Sequence, residues 1–339
     1  MRRCAFASLL AAVHALAPAA PAAAATLSSA PAADAALAPF IFLTNWSAQA
    51  EHGGYYAALA AGLYREHGLD VTIRMGGPQL NALQILAAGQ ADCILGASDL
   101  QMLQARAHGL PVVMVAAMFQ KDPEVLIAHD DVHSLADIKG KTVLISAMAH
   151  QGFWPWLKAQ HGFSDAQTRP YTFNLQPFLL DANLVQQGYV TAEPFALQAA
   201  GARFRTFLLS DYGYPGYAST VACLASTVEA RRSAVAGFVS ATAEGWKRYL
   251  ADPAPAHALI KQANPAIGDA QLAYSWTQLK QTALVTGGDA AHLGIGALTE
   301  ARARKTHDFM LAAHLLDTDA PDWQQAYDPR FVREHPVLP

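Results

Sequence analysis

The chain is poor in charge and almost without cysteine: 15% of its 339 residues are charged, and the three cysteines are Cys4, Cys93 and Cys223. No run of lysine and arginine occurs, and the formal net charge is −4. A mildly acidic chain of this kind lacks the electrostatic footprint of a nucleic-acid or anionic-membrane binder, so no nucleic-acid partner is expected. There is no P-loop, no G-x-S-x-G elbow, no H-E-x-x-H helix and no paired-cysteine motif. His52, His129, His133, His150 and His161 are scattered without ligand spacing, so neither a metal nor a cofactor is expected. Catalysis has no signature here, and the expectation is that the protein is not an enzyme. Long apolar runs are missing too, since no segment after the N-terminus offers roughly 18 uninterrupted apolar residues for a membrane span.

What the N-terminus does carry is Met1-Arg2-Arg3, a largely apolar run from Cys4 to Leu16, and a small-residue tract from Ala17 to Ala25. This is the pattern of a secretory signal peptide (1–25) cleaved near Ala24 or Ala25, which implies an exported, periplasmic protein. Cleavage removes Arg2 and Arg3 and takes the formal charge from −4 to −6. The Ala/Pro-rich stretch 26–37 reads as a tether. Cys93 and Cys223 remain, both in apolar strand-like runs, and they pair only if the fold brings them close. Two buried free thiols is the expectation. The remaining length, about 314 residues, exceeds what one hydrophobic core usually supports and predicts two lobes.

From Phe40 onward, short apolar runs alternate with helical segments. Strands are predicted near 40–45, Asp70 to Met75, Asp92 to Leu95 and Pro111 to Met118, with helices near 54–66, 79–88 and 99–107. A second unit predicts strands at Val125 to Ala128, Thr142 to Ser146, Arg169 to Phe173, Gln187 to Thr191 and Phe204 to Leu209, then Thr220 to Leu224. Beyond Thr227 the pattern is helical to about Leu316. This rhythm predicts an α/β fold with mostly parallel sheets flanked by helices, followed by a C-terminal helical extension. A crossing near Ala116 to Phe119 and another near Gly213 to Ser219 predict two lobes joined twice. That arrangement gives lobe 1 as 38–119 with 216–339 and lobe 2 as 120–215, a ligand in the cleft between them, and hinge closure.

The junction Asn45 to Tyr64 is the most informative stretch. Strand, polar turn and Gly53-Gly54 follow one another, which puts Trp46, His52 and backbone N–H groups at the carboxyl end of a strand, where open sheets bind ligands. Periodicity alone is equally consistent with Trp46 in the core and His52 in a solvated turn. The motif Asn45-Trp46-x-Ala-x-x-x-His52-Gly53-x-Tyr55 with Ala60-x-Gly62-Leu63-Tyr64, together with Gly76-Gly77-Pro78-Gln79, Ala87-Ala88-Gly89-Gln90-Ala91-Asp92, Leu135 to Lys141 and Glu193-Pro194, resembles substrate-binding proteins of ABC importers. The fold of that group is the two-lobed type II periplasmic one. Within it the stretch looks like the branch that binds thiamine pyrimidine precursors, beside binders of nitrate, taurine and alkanesulfonates. The resemblance covers Phe40 to Tyr217 well and the C-terminal helices only generically. It implies a small-molecule ligand, an importer permease as partner and a monomer. It also implies that Asn45, Trp46 and His52 line the cleft, that an aromatic stacks on a ring, and that Glu193 pairs with a ring nitrogen and an exocyclic amine. Related fungal proteins that make the pyrimidine consume a histidine and rely on clustered cysteines; this chain has His52 and no such cluster, which favours binding over synthesis.

Each remaining candidate has a structural alternative. Trp154 opens a helix after a strand in the second lobe and is expected to face Trp46 across the cleft, unless both tryptophans are packing residues. Glu193 either contacts ligand or caps the helix begun by Pro194. Asp99 is ligand contact or helix N-cap, and Ser146 reads as a cap. Gln120 and Asn174 are amides at turn positions, suited to a planar heterocycle edge, and Gly77 lies in a rim turn. One of Tyr189, Tyr214 and Tyr217 lines the cleft, with Tyr189 taken into the site. An anion held ~4 Å from Glu193 would meet about 4 kcal/mol of repulsion at an effective dielectric near 20. Nitrate or a sulfonate would need a compensating cation, and the rim turns supply none beyond the flanking Arg74 and Lys121.

Overall fold

A computed structural model describes residues 36–77, 80–316 and 322–339. The predicted signal peptide and nearly all of the predicted tether lie outside the described residues, as do Pro78 and Gln79 of the glycine-rich turn. Residues Ala36–Pro339 form one compact unit. No helix among the described residues is long and apolar enough to cross a membrane.

Among the described residues ten strands form two five-stranded sheets: β1 (Ala38–Leu43), β2 (Leu69–Arg74), β3 (Cys93–Ser98), β4 (Val112–Phe119), β5 (Glu124–His129), β6 (Thr142–Ile145), β7 (Thr168–Pro170), β8 (Leu184–Tyr189), β9 (Phe204–Leu208) and β10 (Ala218–Leu224). Lobe 1 has the order β2-β1-β3-β10-β4 and lobe 2 the order β7-β6-β8-β5-β9. The two orders are the same topology written twice, with β10 and β5 in equivalent places. Each sheet is mixed: β10 runs antiparallel to β3 and β4, and β5 runs antiparallel to β8 and β9. The expectation of mostly parallel sheets therefore holds for four strands of each sheet and fails for the fifth. The reason is the double crossing. A strand that ends at the cleft hands the chain to the other lobe at its own cleft edge, so the receiving strand must run away from the cleft.

Strand identity follows from burial on both faces. All eight residues of β4 are buried, and the run Val-Val-Met-Val-Ala-Ala-Met-Phe is apolar throughout, as a strand covered on two sides requires. Lobe 1 is covered by the C-terminal helices. In the helix Arg232–Ala251, Phe238 stacks on Phe40, Phe42 and Tyr64 at centroid distances of 4.7, 4.8 and 5.3 Å. The Gly53-Gly54 pair belongs to this packing. A Cβ on Gly53 would lie 2.1 Å from the Tyr249 ring, and one on Gly54 2.2 Å from the Trp246 indole. These glycines let the helix Gly53–Ala60 approach the helix above it, so its N-terminus is buried under aromatic rings rather than offered to a ligand. The helix predicted near 54–66 also breaks, with Gly62 at φ 72° between Gly53–Ala60 and Leu63–Glu66.

The expectation of free thiols is corrected. Cys93 of β3 and Cys223 of β10 sit directly opposite each other and form a disulfide, Cα to Cα 4.2 Å, across 130 residues of chain. The pairing is invisible in the sequence because it depends on β10 inserting beside β3. Cross-linking residues so far apart restricts the unfolded chain, an effect of about 2–4 kcal/mol. Replacing both cysteines with alanine should lower the chemical unfolding free energy by about that amount, and the mature protein, unfolded without reductant, should show no titratable thiol. Two reactive thiols under those conditions would contradict the pairing.

Candidate ligand-binding site

The turn after β1 is organised by a buried threonine. Thr44 Oγ1 donates to the Trp46 carbonyl (2.8 Å) and accepts from the Gly76 N–H (3.0 Å), which fastens the turn after β1 to the turn after β2. A Cβ at Gly76 would sit 2.2 Å from the Thr44 carbonyl oxygen, so the close approach requires glycine there. Trp46 is thereby held half-buried at the lobe edge. Its ring lies 6.0 Å from that of Phe173, which belongs to lobe 2 and is 63% exposed. Phe173 has φ 60°, a conformation a bulky residue rarely adopts, and packs 5.2 Å from Tyr171. The strand predicted to reach Phe173 ends at Pro170, which releases Phe173 into the loop that meets Trp46.

Asn45 and His52 stand together on the same wall. His52 Nε2 lies 3.3 Å from Asn45 Oδ1, and His52 is 1% exposed. Burial lowers its pKa to about 3, so the imidazole is neutral at ordinary pH, and its Nδ1 is buried with no partner among the described residues. The next residue back, Glu51, is also buried and accepts a hydrogen bond from Thr191 of lobe 2.

On the facing wall Glu193 is fixed by two bonds: its Oε2 accepts from the Tyr189 N–H (2.7 Å) and its Oε1 from the Tyr171 hydroxyl (3.3 Å). The residue flanking this helix on its N-terminal side is Ala192, so Glu193 does not serve as the cap its position allowed. Tyr189 is half-buried and pairs across the strands with Glu124, whose Oε2 is buried without a partner among the described residues. Asp122 and Glu124 flank Pro123 in the first crossover. Burial raises the pKa values of Glu51, Asp122, Glu124 and Glu193, and repulsion adds to it: Glu193 acts on Glu51 and Glu124, and Asp122 on Glu124. Among the described residues no lysine or arginine forms an ion pair with any of these four. The result is a meeting surface rich in carboxyl groups and poor in cations, with aromatic rings at its rim. Such a surface suits a flat ligand whose edge carries N–H groups or positive charge.

Several expected contacts are used elsewhere. Trp154 is fully buried inside lobe 2, where its indole donates to Asp165 (2.8 Å) and its ring packs on Phe163; Phe173, not Trp154, faces Trp46. Gln120 is consumed by structure: Nε2 donates to the Ala117 and Ala297 carbonyls (3.0 and 2.9 Å), and Oε1 accepts from Arg302 (3.1 Å). Asp99 is buried, accepting from the Tyr217 N–H (3.0 Å) and the Tyr327 hydroxyl (3.3 Å), and its pKa is pushed up to about 6 by burial. It is not the cap either, since Ser98 takes that place. Asn174 is exposed beside Phe173 and its Oδ1 holds the Gln176 N–H (3.0 Å). Gly77 lies in the rim turn with open space on its Cβ side. Tyr214 and Tyr217 are core residues, which leaves Tyr189 at the lobe edge. Ser146 caps as expected, accepting from the Ala149 N–H (3.3 Å). The residues that sequence reasoning misses are Glu51, Asp122, Glu124, Tyr171 and Phe173. The acids flanking Pro123 at a predicted crossing are the available signal.

A family model described as NMT1/THI5 like matches residues 49–256, more than half of the chain. The chain belongs to the NMT1/THI5-like family. Among relatives, the riboflavin-binding protein RibY of Chloroflexus aurantiacus is 28% identical over 340 residues, spanning 96% of this chain and 94% of that one. The formylaminopyrimidine-binding protein of Halalkalibacterium halodurans is 26% identical over 230 residues, spanning 65% and 69%. Among solved structures, the periplasmic aliphatic sulphonate binding protein SsuA of Escherichia coli superposes with a TM-score of 0.66 at 15% identity, over 86% of this chain and 92% of that one. This NMT1/THI5-like chain thus has the two-lobed periplasmic binding protein fold that the sequence predicted.

The raised carboxyl pKa values carry a sign. Burial carries Asp122 from its ordinary 3.8 up to about 7, so between those values the folded chain holds a proton that the unfolded chain releases, and this group, like the other raised carboxyls, makes stability fall as pH rises. His52 opposes them only below its unfolded value of 6.5. The unfolding temperature of the ligand-free protein should therefore rise by a few degrees from about pH 8 to about pH 6, and Asp122→Asn should flatten the profile. A temperature that falls over that range would contradict the charge state described.

Proposed function

We propose that this protein is an extracytoplasmic solute-binding protein that captures a planar, nitrogen-bearing heterocycle and delivers it to the permease of an ABC importer. The observation that carries the reading is the combination of the Trp46–Phe173 pair at the rim with Glu193, Glu124 and Glu51 behind it. Rings at this spacing offer flat faces to a heterocycle, and buried carboxyl groups without cations suit ligand N–H groups. An aminopyrimidine of the thiamine-precursor type satisfies both. A flavin is the second reading, favoured by the relative named for riboflavin binding, which aligns over nearly the whole chain. Nitrate, taurine and alkanesulfonates fit poorly, because their anionic groups would meet buried acids with no lysine or arginine paired to them. The likeness to SsuA concerns the fold alone.

In this reading lobe 1 comprises 38–119 and 216–339, lobe 2 comprises 120–215, and the exported protein acts as a monomer in the periplasm. Asn45, Trp46, His52, Glu193 and Tyr189 contact the ligand, with Gly77 and Asn174 on the rim. In this reading it performs no chemistry, and His52, neutral beside Asn45, serves as a polar contact.

A thermal-shift panel tests the function. An aminopyrimidine or riboflavin at about 100 times its dissociation constant should add ~2.7 kcal/mol of stability, whereas taurine and nitrate should add nothing. Stabilisation by taurine or nitrate alone would overturn the reading. Trp46→Ala should weaken binding of the stabilising heterocycle by ~1–3 kcal/mol, a ten- to hundredfold loss, with the unfolding temperature of the free protein unchanged. A variant that unfolds instead would return Trp46 to the core.

A further inference from the structure

The residues on either side of the proposed contacts do something the contacts themselves do not. Glu51 precedes His52, and Thr191 stands two residues before Glu193. Their side chains meet across the lobes, with the Thr191 hydroxyl donating to Glu51 Oε1, and both residues are buried, Thr191 completely. The bond does not stand alone. The helix Asp269–Gln281 grips the same turn: Ser275 Oγ donates to the Thr191 carbonyl (2.7 Å), the Tyr274 hydroxyl donates to the Val190 carbonyl (3.4 Å), and the Tyr274 ring packs 5.6 Å from Phe195. That helix is borne by lobe 1. Trp276 Nε1 donates to the Tyr249 carbonyl (3.0 Å), and the helix packs against the turn Ala50–His52. Just before it, Asn264 Nδ2 donates to the Ala48 carbonyl (2.9 Å), fixing the segment that carries Trp46 and His52.

Lobe 2 is therefore held at its cleft edge by three hydrogen bonds to lobe 1, all received or given by Val190 and Thr191. We propose that Thr191 is a positioning residue for ligand capture: a latch that closes lobe 1 onto the turn presenting Glu193, so that ligand bound between His52 and Glu193 and the closed lobes stabilise each other. The coupling rests on the binding-protein reading above and follows from chain connectivity. Glu51 and Thr191 sit one and two residues from the proposed contacts, in turns too short to move separately from them. Opening must break the Glu51–Thr191 bond and uncover Glu51, while occupancy of the cleft favours the geometry in which that bond forms. Thr191 itself contacts no ligand, so it acts on release rather than on recognition.

Thr191→Val removes the donor with little change of volume, Ser275→Ala removes the second grip, and Thr191→Ser keeps the hydroxyl. Small-angle scattering of the ligand-free proteins reads the lobe equilibrium without any ligand, and stopped-flow release of riboflavin, or of an aminopyrimidine if that is the stabilising probe, reads the coupling. Thr191→Val and Ser275→Ala should keep the circular dichroism of the wild type, scatter as a more open particle, and release the probe about tenfold faster with association nearly unchanged; Thr191→Ser should match the wild type. Scattering by both Thr191→Val and Ser275→Ala indistinguishable from wild type, or release unchanged in both, would overturn the latch. If neither probe binds the wild type, the ligand reading fails, and the scattering comparison still decides the latch.

Discussion

Both crossovers hang on one guanidinium. Arg302, on the helix Glu300–Ala312, donates to the Gln120 carbonyl (2.6 Å) in the first crossover and to the Gly216 carbonyl (2.9 Å) in the second, and its charge lies 3.8 Å over the Tyr217 ring. Asp99 completes the anchorage by accepting from the Tyr217 N–H, and the Gln120 N–H donates to the Leu284 carbonyl (2.6 Å). These bonds fasten both crossovers to lobe 1, and the short stretches 121–123 and 209–215 lie just beyond them. Lys121 and Asp211 link those two stretches by an ion pair of 2.8 Å. This arrangement ties both crossovers to the C-terminal helices beside the wall that carries Trp46 and His52.

The architecture is legible in the sequence because its signals are local. Apolar runs such as Val112–Phe119 and glycine stops such as Gly89 and Gly109 mark elements whatever surrounds them, and the two crossings follow from counting strands. What is not legible depends on distant partners. The antiparallel course of β5 and β10 comes from the double crossing, and the Cys93–Cys223 bond comes from that course. The glycine pair at 53 and 54 reads as a ligand-binding turn, yet it answers to Tyr249 and Trp246, far along the chain.

The candidate site divides in the same way. Asn45, Trp46, His52 and Glu193 stand out because turn residues after strands are intrinsically unusual places for such side chains. Asp99 and Gln120 share that position and mislead, since a polar residue at a strand end can serve a hinge as well as a ligand. Only their full sets of protein partners separate the two uses. Trp154 misleads for a related reason: a tryptophan opening a helix looks the same whether its ring faces the cleft or the interior, and here Asp165 satisfies its N–H inside lobe 2. Phe173 is hidden by a strand that ends at Pro170 instead of reaching it.

The chemistry of the cleft then rests on buried acids without cations. Acids from lobe 1, the first crossover and lobe 2 are gathered where the lobes meet, and the guanidinium of Arg302 is committed to the two crossovers and to Asp289. A ligand that supplies N–H donors finds partners among these acids, whereas an anion finds no cation there. The most direct measurement is mass spectrometry of the small molecule released on denaturing protein purified natively from its exporting host. The account predicts a planar heterocycle bearing amine or imide N–H groups; a sulfonate, nitrate or other anion released in stoichiometric amount would contradict it.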